Sequence, residues 1–176
     1  MIANVIPVDG ELRRYLQAKG VPERQVEDEI SRISNRMLNR AHQAMLHAFA
    51  MKNLTERFSA DDLRSLDPAA RTKWRAMISA HAAVFQREVH VIRQELSSIF
   101  PAAASAGAAD EEVDVADDAA LFRAVSRLAQ LAASTNESIQ SAFTISSGGR
   151  GSAVLGASFW SSLKSAERLA AKIREQ

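Results

Sequence analysis

Four histidines, a row of arginines and a glycine-rich loop are the parts of this chain whose residue types could do chemistry. If the two long helices described below turn about residue 61 or 62, His42 comes level with His81. Two imidazoles meeting inside a helical bundle can begin a metal site. Bundle metalloproteins, however, surround such histidines with carboxylates at Glu-x-x-His spacing, and that pattern is missing. A pair of neutral histidines bonded to each other or to Gln43 is the simpler expectation, with His42 and His81 as the weak metal alternative.

Arg32, Arg36 and Arg40 recur every four residues and so share one helix face. A solvated face with local pairs to Asp28 and Glu29 accounts for such a row. Read as a binding strip, it would suit an acidic partner, including the chain's own acidic stretch at 110–118 acting as a tethered competitor. Ser147-Gly-Gly-Arg-Gly-Ser152 runs into a helix start, where backbone N–H groups can cradle phosphate. No strand precedes it and the Lys-Ser/Thr ending of a Walker loop is absent, so a flexible turn is expected. Gly20-Val21-Pro22 could be the turn of a helix-turn-helix, but Glu23, Glu27, Asp28 and Glu29 would then face DNA phosphates and repel them. No nucleophile, base and orienting group stand at local spacing, so a non-catalytic protein without a cofactor is expected.

The elements that must position these residues are helices. The organising stretch is Pro68 to Phe100, where Trp74, Ile78, His81, Phe85, Val89, Ile92, Leu96 and Ile99 recur at steps of three and four. Asp67 can cap its first turn, Pro68 suits its first position, and Pro101 stops it. Met77, Val84 and Val91 widen its apolar stripe on one side. A second long helix, from Glu23 to about Leu54, carries Val26, Ile30, Ile33, Met37, Ala41, Ala44, Ala48 and Met51 at the same steps. A short helix over 60–66 occupies the connection, so the two long helices should lie antiparallel. Ahead of them, Glu11 to Lys19 forms a short helix closed by Gly20.

After Pro101 the composition changes to small residues followed by acids, which predicts a linker over 101–117. Asp117 or Asp118 can cap the next helix, and a last helix runs from Ala153 to about Arg174. Residues 134–165 hold twelve Ser or Thr, so the seam of this second hairpin buries less apolar area than Leu or Ile would. Trp160 lies about 100° around the last helix from Phe159, outside the predicted stripe and beside Gly156 and Lys164. An aromatic off the seam next to a glycine is expected to anchor another chain.

Composition sets the outer bounds. With 176 residues, Gly 7 and Pro 4, the chain has the size of one ordinary domain and a mostly helical make-up. It has no cysteine, hence no disulfide and no thiolate metal or redox site. Lys and Arg number 22 against 21 Asp and Glu, and neither half is basic enough for a nucleic-acid surface. No apolar run approaches the ~20 residues of a membrane span, and the first residues lack the marks of a signal peptide, so a cytoplasmic protein is expected. The fold expected is all-α: two antiparallel helical hairpins forming an elongated bundle with a short N-terminal helix. Its division is 1–100, 101–117 and 118–176. The function expected is a helical adaptor, scaffold or accessory protein that meets a protein partner, or a second copy, through Gly156, Trp160 and Lys164 or through Arg32, Arg36 and Arg40. The alternative is a bundle that binds a small molecule or metal between its long helices and could use it in catalysis.

Overall fold

Asp67 caps as its position in the sequence predicts: its side chain accepts the Ala70 N–H at 2.8 Å with Pro68 opening the helix. The computed structural model describes residues 8–58, 60–104, 115–144 and 155–176. Its helices are α1 (Val8–Ala18), α2 (Glu23–Glu56), α3 (Ala60–Ser65), α4 (Pro68–Ile99), α5 (Pro101–Ala104), α6 (Asp118–Phe143) and α7 (Ala157–Glu175). Among the described residues there is no strand, and the protein is an all-α bundle. The glycine-rich loop at 147–152 and residues 105–114, which include most of the acidic stretch at 110–118, lie outside the described residues.

Local chemistry explains where the helices begin and end. Gly20, at φ +79°, takes the left-handed position after α1, and Val21 N–H reaches back to the Leu16 carbonyl at 3.0 Å. That bond, together with Gly20 N–H to the Gln17 carbonyl, satisfies carbonyls the helix would otherwise leave open. A side chain at Gly20 would be strained by the backbone itself, since only glycine adopts this region at little cost. Asp117 caps α6 by accepting the Ala120 N–H at 2.7 Å.

Side-chain pairs set the directions of the four long helices. The Trp74 indole donates to the Leu54 carbonyl, so the start of α4 lies beside the end of α2. Arg71 and Arg75 hold Asp118, which puts the start of α6 at the same end, and Arg75 also donates to the Gln176 side chain, which brings the end of α7 there. Hence α2 and α7 run one way while α4 and α6 run the other. Helices α4 and α6 are therefore parallel.

Packing follows a ring in which α2 touches α4 and α6, and α7 touches the same two helices, so every neighbouring pair is antiparallel. The stripes read from the sequence point inward to one shared core containing Met37, Met51, Ile78, Phe85, Ile92, Leu96, Leu121, Phe143, Trp160 and Leu163. Each such side chain contributes about 1.5–3 kcal/mol when fully buried. Val8, Leu12 and Leu16 of α1 close the end of the bundle opposite Asp118. In α4 the core position expected for His81 belongs to Ala82, and His81 stands on the flank toward α2.

Candidate functional site

The seam between α2 and α4 is symmetric about Arg64. His47 faces His81, Arg40 donates to Glu88 at 3.0 Å, and Leu54 meets Trp74. The expected centre at 61 or 62 is displaced because α2 continues to Glu56 and α3 fills the turn. The correction moves the histidine pairing: His42 is exposed, and the partner of His81 is His47, Nδ1 to Nδ1 at 2.9 Å with ring centroids 5.2 Å apart. No group of three metal-ligating side chains occurs among the described residues, so the His42–His81 alternative has no geometric support.

An Nδ1–Nδ1 contact needs one ring to donate and the other to accept, so it is lost once both rings are doubly protonated. Burial first, and the His47 ring second, push the His81 pKa below its ordinary value. A histidine whose pKa is lower folded than unfolded adds stability that is present above the unfolded pKa and lost as pH falls through the folded one. The melting temperature should therefore fall as pH drops from about 7.5 to about 5, through the ordinary histidine value near 6.5. Thermal unfolding of His81→Gln should show a smaller fall over that range. An equal fall in both proteins would mean that the titration of His81 is not linked to folding.

The arginine row serves the same seam. Arg32 pairs with Glu29, Arg36 crosses to Glu95 with its Nε 3.1 Å from Oε1, and Arg40 crosses to Glu88. All three charges expected to meet an acidic partner are thus engaged within the hairpin. Partly exposed pairs of this kind are worth about 0–1 kcal/mol each; they select the α2–α4 register more than they hold it.

Three large apolar side chains are exposed on α2 and α4. Leu46 is 47% exposed, Phe49 36% and Met77 42%, the large apolar side chains left open among the described residues. In the α2–α4 register Met77 is level with Met51, so the three fall within roughly 8 Å along the bundle. Leu46 adjoins His47 in the chain, and Met77 precedes His81 by one turn.

Trp160 is not on a surface. It is 0% exposed, its indole donates to the Leu155 carbonyl at 3.1 Å, and Phe159 stands edge-on at 5.4 Å. The expectation of an intermolecular anchor is corrected for a simple reason: α7 packs on both α4 and α6, so its buried face is wide enough to include a residue about 100° from Phe159. Gly156 and Lys164 remain at the surface, but without the anchor between them.

A further cluster joins α4 to α7. The Glu167 carboxylate accepts Arg93 Nε at 2.5 Å and meets His90 Nδ1 at 2.6 Å. Burial pushes the Glu167 carboxyl up, but the hydrogen bonds from Arg93 and His90 outweigh it and hold it below the usual carboxylate range. His90 and Arg93 stand three apart and so share a face, a signal the sequence carries; their partner lies on another helix, which spacing along the chain does not reveal.

No family model, curated protein or solved structure matches the chain. What the protein does is therefore a matter of these surfaces and their chemistry. Among the described residues no helix is long and apolar enough to cross a membrane.

Proposed function

We propose that the protein is a non-catalytic interaction module, a helical adaptor or accessory protein that presents the outer side of α2 and its seam with α4 to a protein partner. The observation that carries this reading is the exposure of Leu46 and Phe49, three apart and so on one outer face of α2, with Met77 exposed on α4 at the same level of the bundle. Single exposed apolar residues are ordinary, whereas a group with a polar rim is the usual form of a contact surface. Gln43, Asn39 and Asn53 supply such a rim on α2. The shape offered is that of neighbouring helix ridges, which an apolar helix of a partner fits.

Site-specific photo-crosslinking in the native host tests this. A crosslinker at position 46, 49 or 77 should give the same discrete protein adduct, and one at Arg24, exposed on α2 but distant from the patch, should not. Leu46→Asp with Met77→Asp should abolish the adduct formed from position 49 while leaving helical content unchanged. Adducts that form equally from all positions, or from none, would remove the basis of the reading.

A further inference from the structure

His47 and His81 turn their Nδ1 atoms toward each other at 2.9 Å, with ring centroids 5.2 Å apart. Neither ring makes another hydrogen bond among the described residues. The contact therefore holds a single proton, carried by whichever Nδ1 donates. With that proton moved to Nε2 of the same ring, both Nδ1 lone pairs face one gap, and two neutral imidazoles facing one gap form a chelate for zinc, copper or nickel.

The dimensions fit. Two imidazoles on one tetrahedral ion, each nitrogen about 2.0–2.1 Å from it, have their nitrogens roughly 3.3 Å and their centroids roughly 5 Å apart. The pair already has the centroid spacing, and its nitrogens must open by about 0.4 Å, which a pivot of the rings supplies without moving either helix. The helices are fixed on both sides along the seam, by Trp74 on the Leu54 carbonyl and by Arg40 on Glu88. Ligands carried on such rigid elements are placed before the ion arrives. Both rings are half-buried, so water can reach the pair and fill the other two positions of a tetrahedral ion.

We propose that His47 and His81 form a two-histidine site for a divalent transition-metal ion of the zinc type, which clips α2 to α4. The proposal stands apart from the interaction surface, whose Leu46, Phe49 and Met77 supply no ligand to it, so failure of either leaves the other standing. Thermal unfolding with zinc chloride tests it, at about pH 7.5, above the ordinary histidine value. The ion would join residues 34 apart in the sequence, a pairing the unfolded chain lacks. It should therefore raise the melting temperature by about 3–6 °C at ten times its dissociation constant. His47→Gln and His81→Gln should each abolish the rise, read against the variant's own metal-free melt. His42→Gln and His90→Gln should keep it, and magnesium, which takes oxygen ligands, should give none. Copper(II) on the unaltered chain should show two imidazole nitrogens in its electron paramagnetic resonance, a readout that does not depend on how any variant folds. No rise with zinc, a rise that survives His47→Gln or His81→Gln, an equal loss in His42→Gln, or a copper signal with a single nitrogen would overturn the proposal.

Discussion

Replacing Trp160 with alanine is expected to destabilise the protein by about 3–5 kcal/mol, the usual range for truncating a fully buried large aromatic. The side chain is wholly enclosed, so its loss removes apolar burial and leaves a cavity that the neighbouring helices fill only in part. It also leaves the Leu155 carbonyl without the indole donor. The site is sensitive for a second reason: the N-cap of α7, Gly156, makes no side-chain cap bond, so the first turn is held by the burial of Phe159 and Trp160. Trp160→Phe retains most of the volume and loses the hydrogen bond, for a smaller cost of about 1–2 kcal/mol. Urea unfolding gives both values. A near-neutral alanine variant, or one that changes the mass in sedimentation while keeping full stability, would contradict the buried placement.

Asp118→Ala should come next in effect, at about 2–3 kcal/mol. Its side chain is 8% exposed and receives both Arg71, at 2.5 Å, and Arg75. Removing one member of a buried ion pair costs about 3–5 kcal/mol because it strands the other charge. The figure is reduced here since the two arginines are 39% and 29% exposed and regain water. Asp118 also stands in the first turn of α6, where a negative charge meets the positive end of the helix dipole. Breaking the exposed Asp61–Arg64 pair with Asp61→Ala should change nothing measurable, and that contrast separates burial from mere pairing. Equal effects at the two sites would mean that Asp118 does not fasten α6 to α4.

The amino-acid sequence by itself determined the helices. Steps of three and four among Trp74, Ile78, Phe85, Val89, Ile92, Leu96 and Ile99 mark the buried stripe of α4, because the period of an apolar pattern is a property of the local chain. Asp67, Pro68, Asp117 and Gly20 mark boundaries for the same reason: capping involves only residues three to five apart. The beginnings of α1 and α7 were less legible. Helix α1 reaches back to Val8 through Asp9 and Gly10, and α7 opens at Ala157, four residues after the expected start. Helix ends fray over a few residues when no strong cap fixes them.

Only the tertiary structure decided which faces meet. The partner of His81 depended on how much of the turn α2 and α3 consume, and a shift of two or three residues in the centre of a hairpin moves its cross-helix pairs by about five, from His42 to His47. Trp160 lay outside a stripe drawn for one neighbour, but α7 has two, and the width of a buried face is set by the number of helices around it. The union of His90 and Arg93 with Glu167 joins residues more than seventy positions apart, and their association comes from the ring order of the bundle, which no local spacing encodes.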